Sequence, residues 1–174
     1  MIGGVLIAIV LSVSQLTASP FLAAVKHYEG FYPAPYRCPA GVWTIGYGHT
    51  KGVSASSKPI TQAEANILLL GDMAEAGMDV LRLAGDVLQD TDDLAAAARR
   101  FEALASWVFN LGATNLSSST MLKRIKEKRW EDAAKEMLRW DKAKVNGVAQ
   151  TLSGLTKRRK SESHYFLTGE VVIF

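Results

Sequence analysis

A chain of 174 residues fits one domain, or two small lobes that share a core. With 48% apolar and 21% charged residues it is not a disordered chain, and its single cysteine excludes an intramolecular disulfide. Three scattered histidines beside that cysteine give no metal-ligand spacing, so no metal or other cofactor is expected. The net charge is +3, and residues 120–160 carry thirteen Lys or Arg against five acids. That surface suits a polyanion, either nucleic acid or an anionic cell envelope, although solvated helix faces explain most of these charges equally well.

The first 25 residues hold no charged side chain. The strongest apolar run, Val5 to Val13, is shorter than the ~20 residues of a bilayer span, and Gly3, Gly4, Ser12, Ser14, Gln15 and Thr17 dilute it. Three readings fit: a signal peptide without the usual basic start, a weak membrane anchor, or a buried helix. The absence of charge over so long a stretch favours the anchor or export signal. Ser19 and Pro20 read as a helix cap and a first helical residue. We therefore expect a leader over residues 1–18 and a folded domain over 19–174.

The domain opens on a helix, "PFLAAVKHYE", with Phe21, Val25 and Tyr28 along one side. Residues 30–58 are rich in Gly, Pro and aromatic residues, which suits short strands and tight turns. "GVWTIGYGH" alternates like a strand at its start, and Gly46 and Gly48 leave room for backbone or ligand to approach. Thr61 with Glu64 forms a capping box that opens a helix over 62–84, with Ala63, Ile67, Leu70, Ala74, Met78 and Leu81 at helical spacing and Gly85 as the stop. Its length would bridge two lobes. A helix over 94–111 is apolar nearly all round and should form the core centre. "SSSTMLKRIKEK", "WEDAAKEMLRW" and "GLTKRRKSESHYFLTG" read as three more helices, the last closed by Gly169. The fold class is α+β, in two lobes with a substrate cleft between them.

Glu29 stands at the end of the first helix, where an acid is unfavourably placed relative to the helix dipole. Cys38, Thr44 and His49 follow. Taken singly, each has a bland reading: a solvated acid, a small buried hydrophobe, a strand residue. Together, the order E-G-x(5)-Y-x-C-x(5)-T-I-G-Y-G-H (Glu29 to His49) resembles the phage-type lysozymes, the T4 lysozyme-like endolysins of glycoside hydrolase family 24. "FEALASWVFNLGA", "SSSTMLKRI", "KRWEDAAKEMLRW" and "GLTKRRKSE" are similar to the family's later helices in order and spacing, so the resemblance covers Pro20 to Gly169.

The resemblance implies a muramidase that cleaves the β-1,4 bond between N-acetylmuramic acid and N-acetylglucosamine. Glu29 would be the catalytic acid, and Thr44 would help place the attacking water. His49 and Arg158 would pack around and hydrogen-bond the glutamate. Asn110 and Tyr36 would contact the sugar chain. Cys38 departs from the family's usual aspartate, the second carboxylate of the reaction. A family subset carries Cys there, so activity is expected, and a thiolate could act as nucleophile, as base or as electrostatic support. A lytic transglycosylase needing only the glutamate, and a non-catalytic peptidoglycan-binding protein, are the alternatives. The resemblance also implies a signal-anchor-release leader that tethers a monomer to the host inner membrane during export to the periplasm. Its partner would be peptidoglycan rather than nucleic acid. Some such enzymes are restrained by a leader cysteine; this leader has none.

Overall fold

The computed structural model describes residues 16–38, 41–145 and 147–174. Most of the leader, residues 1–15, lies outside them. The first described residues, 16–18, are helical, and Leu16 is buried. Its side chain reaches Gly77 and enters the core cluster. The packed body therefore includes Leu16, three residues ahead of the boundary expected at residue 19.

Helix α1 spans Leu22–Glu29. Ser19, expected as the cap, instead stands in the turn ahead of the helix, where its hydroxyl accepts from the Phe21 amide at 3.1 Å. The helix starts later than Pro20 suggests, since Phe21 holds the cap position. Ala24 and Val25 are buried and Phe21 stacks on Tyr165, with ring centroids 4.6 Å apart. Gly30 ends the helix at φ +70°, a conformation that glycine takes without strain, and turns the chain into the β-region.

Strands β1 (Tyr32–Arg37) and β2 (Trp43–Gly46) form an antiparallel pair, with Tyr36 opposite Thr44. Pro33 and Pro35 have no N–H to donate, which keeps β1 an edge strand. Beyond β2 the chain turns at once, and a bridge between Ile45 and His49 closes the turn. Gly46 packs against α2, where an added Cβ would lie 3.1 Å from the Ala65 Cβ.

Helix α2 runs from Gln62 to Gln89, with both halves of the Thr61–Glu64 capping box present. At ~1.5 Å per residue it is about 42 Å long, enough to link the β-region to the helical lobe. Two details differ from the sequence reading. Gly85 lies inside the helix rather than at its end. The buried face is Ala65, Leu69, Met73, Ala76, Val80, Ala84 and Leu88, whereas Ile67 and Met78 are exposed. Both faces have helical spacing, and small residues decided between them. Ala65, Ala76, Gly77 and Ala84 let neighbouring helices approach, which bulkier but isolated apolar residues do not.

Helix α3 (Leu94–Leu111) is buried without interruption from Phe101 to Val108, as its apolar circumference requires. A short turn, α4 (Ala113–Ser117), follows, then α5 (Thr120–Lys126) and α6 (Trp130–Met137). Strands β3 (Lys142–Val145) and β4 (Val148–Thr151) make a second antiparallel pair that the sequence reading left out. Asn146-Gly147 between Val145 and Val148 was the missed signal, because Asn-Gly favours the tight hairpin turn. Helix α7 (Ser153–Thr168) packs on α3 and ends at Gly169, which is left-handed at φ +77°.

Gly77 is the most tightly surrounded of the described glycines, with an added Cβ falling 2.9 Å from both Leu16 and Phe101. Gly77→Ala should destabilise the fold by about 1–3 kcal/mol through overpacking. Urea denaturation with unchanged slope would register the loss.

Candidate active site

Glu29 occupies the last position of α1 and its side chain is 17% exposed. Arg158, on the buried face of α7, grips Oε1 through Nη1. The other oxygen, Oε2, lies against Gly48, where an added Cβ would come within 3.0 Å of it. Gly48 has φ +90°, so the position needs glycine both for its backbone conformation and for the room it leaves. Phe109 closes the same corner.

Two cavities meet at this carboxylate. One, of about 360 Å³, lies between the Gly48–Lys51 turn, α2 and the end of α3; the other, of about 400 Å³, lies toward the start of α7. Glu29 and Asn110 line both. The Asn110 Oδ1 is buried without a hydrogen-bond partner, an acceptor available to a ligand's hydroxyl or amide.

Arg158 is the electrostatic centre. Burial alone would lower its pKa, but the charges of Glu29 and Glu162 outweigh that and hold the guanidinium above its ordinary value. Nε donates to Glu162 at 3.2 Å and Nη2 to the Ser106 carbonyl at 3.4 Å. Glu162 also accepts from the Ser106 hydroxyl at 2.7 Å and from Arg159 at 2.9 Å. The glutamate expected to act is thus backed by a fully enclosed polar cluster.

His49 is placed differently from the sequence expectation. Its Nδ1 lies 2.7 Å from Asp72 on α2 and its Nε2 lies 3.0 Å from the Lys51 carbonyl, so neither nitrogen is free for Glu29. What it holds is the turn carrying Gly48, through the backbone bridge to Ile45 and the anchor on Asp72. Contact with the acid is therefore indirect. Asp72 was not singled out in the sequence, because a lone acid on a long polar helix face reads as solvated.

Cys38, Thr44 and Tyr36 gather on the β-hairpin. The Cys38 amide donates to the Val42 carbonyl at 3.0 Å, and the Thr44 hydroxyl donates to that same carbonyl at 3.1 Å. Thr44 is buried and Cys38 half-buried. Among the described residues, none of the three lines the two cavities at Glu29. Tyr36 nonetheless feels both proposed reacting groups. Burial raises its phenol pKa most, followed by the negative charges of Tyr32, Glu29 and Cys38.

Breaking the Arg158 cluster should be costly. Arg158→Met strips Glu29 of its cation and leaves Glu162 with Arg159 alone, one uncompensated negative charge in the cluster, and a loss of about 3–5 kcal/mol is expected by thermal or chemical denaturation.

The family model described as phage lysozyme matches residues 26–162. The endolysin of Acyrthosiphon pisum secondary endosymbiont phage 1 is 36% identical over 145 residues, covering 83% of this chain and 93% of that protein. The SAR-endolysin of Enterobacteria phage PA-2 is 31% identical over 143 residues, covering 82% and 79%. Among solved structures, the muramidase domain of SpmX from Asticaccaulis excentricus superposes with a TM-score of 0.71 at 32% identity, covering 83% of this chain and 92% of that domain. With its acid held by a buried arginine at a groove between two lobes, the chain belongs to the phage lysozyme family and is a lysozyme-type endolysin.

Proposed function

We propose that the chain hydrolyses the β-1,4 bond between N-acetylmuramic acid and N-acetylglucosamine in bacterial peptidoglycan, with Glu29 as general acid. The observation that carries this is the position of the Glu29 carboxylate at the junction of two cavities, one oxygen held by Arg158 and the other against the Gly48 backbone. A glycan strand running along the joined cavities passes the carboxylate, which protonates the leaving glycosidic oxygen. Asn110 offers its unpaired acceptor to the sugar. Cys38 takes the place of the second carboxylate as a thiolate, Thr44 helps place the water, and Tyr36 flanks them on the hairpin. The excess of cationic residues over 120–160 draws the enzyme to the anionic wall.

The SAR-endolysin relative from Enterobacteria phage PA-2 supports a further part of the reading: residues 1–18 tether the enzyme to the inner membrane before its release into the periplasm. No helix among the described residues is long and apolar enough to cross a membrane, and the apolar run itself lies outside them. Leu16 and Ser19 are seated in the folded body, Ser19 on Glu102 at 2.5 Å. A leader held in lipid pulls on the segment that enters α1, and so displaces Glu29. Deleting residues 2–18 should abolish export and alter lysis timing; unchanged export, timing and activity would remove this tethering role.

Glu29→Gln should abolish wall lysis, measured as loss of turbidity of purified cell walls, while leaving the circular dichroism spectrum native. Retained lysis would refute the acid. Cys38→Ser should fall well below Cys38→Asp in the same assay, and equal rates would remove the thiol from the chemistry. Reducing ends in the product support hydrolysis, whereas anhydro ends would mark a transglycosylase.

A further inference from the structure

The buried carboxylate of Glu162 has no part in the reaction as written, yet it sits on the same guanidinium as the acid. Arg158 donates from Nη1 to Glu29 and from Nε to Glu162. Both the Arg158 and Glu162 side chains are nearly or wholly enclosed, at 4% and 0% exposure. Their spacing of four residues on α7 puts them on one helix face. We propose that Glu162 is a positioning residue for the acid: it divides the charge of Arg158 between two carboxylates, so that Glu29 is oriented by the guanidinium without being locked into its anionic form.

The need for such a device follows from the chemistry of the proposed glycosidase, on which this inference rests. A general acid must arrive carrying its proton. An arginine bonded to a carboxylate favours the charged form and drives the proton off. Arg158 alone would therefore orient Glu29 and disarm it at the same time. Glu162 opposes the second effect in two ways. It competes for the guanidinium, and its own negative charge disfavours another one nearby.

The surroundings fit this division. Facing Glu162 are Arg158 and Arg159 from α7 and the Ser106 hydroxyl from α3. Arg159 Nε also lies 2.7 Å from Glu162 Oε2, but off the hydrogen-bonding direction, so that contact is chiefly electrostatic. On the α6 side, the neighbouring Ser163 donates to the uncharged Ala134 carbonyl. Facing Glu29 are Arg158, the Gly48 backbone and, across the groove, Asp72, Glu75, Asp79 and Lys51. Two guanidinium groups and two carboxylates make the buried cluster formally neutral. Removing the Glu162 charge leaves one excess positive charge beside the acid.

The test reads the Glu29 carboxyl directly, by carbon-13 NMR titration of glutamate-labelled protein, with Glu29→Gln to assign the signal. In Glu162→Gln the Glu29 midpoint should fall by about two pH units, the size expected for one charge roughly 6–7 Å away at an effective dielectric near 20. The alkaline limb of the wall-lysis profile should move down with it. Glu162→Asp keeps the charge and should restore most of the midpoint. A midpoint unmoved in folded Glu162→Gln, or activity lowered evenly at every pH, overturns the proposal, because a simple brace would behave that way. Should Glu162→Gln fail to fold, Ser106→Ala removes one donor to Glu162 and leaves every charge in place. Glu162 then draws Arg158 harder and the Glu29 midpoint should rise; no change, or a fall, overturns the proposal. The titration needs no substrate, so a wild-type protein that lyses no walls at any pH would sink the glycosidase reading and leave the charge-sharing result standing.

Discussion

A guanidinium taken out of water has to be surrounded by anions and acceptors, and much of this molecule is arranged around that requirement for Arg158. Its partners come from three helices: Glu29 at the end of α1, the Ser106 carbonyl on α3 and Glu162 on α7 itself. Desolvation of an ion is expensive, so helices that share one are fixed relative to each other more sharply than apolar packing alone would fix them. The same ion pair offsets the poor position of Glu29 at a helix C-terminus, where the partial negative charge of the helix end repels a carboxylate.

The opposite wall of the site depends on absence of bulk. Gly48 brings bare backbone against Glu29, and Gly46 does the same against Ala65 at the root of α2. A turn this free of side chains needs to be held from outside. Here the Ile45–His49 bridge and the His49–Asp72 contact supply the restraint. Glu29 and its groove are therefore set by a charged clamp on one side and a pinned glycine turn on the other.

A second buried polar network ties the entry segment to the helical lobe. Glu102 on α3 accepts from both Ser19 and Tyr165, at 2.5 and 2.6 Å. Burial, then hydrogen bonding to Glu102 and its charge, push the Tyr165 phenol far above its ordinary pKa, so it stays a donor at any ordinary pH. With Leu16 seated near Gly77, this network makes the segment from Leu16 to Ser19 part of the folded body.

Most of the helices from residue 62 onward, the Thr61–Glu64 and Gly169 caps and the α+β class were legible because periodicity and caps are local physics that act within one turn of where they stand. Order and spacing from Glu29 to His49 carried the family. What sequence alone did not determine was set by distant neighbours. Which face of α2 is buried was decided by how closely Ala65, Ala76 and Gly77 let other elements approach. That His49 binds Asp72 rather than Glu29 follows from the closing of the turn at Gly48. The role of Glu162 needed three dimensions, because a glutamate four residues after an arginine reads as an ordinary surface pair. Only burial of both, with Glu29 brought to the same guanidinium from 129 residues away, turns that pair into part of the site.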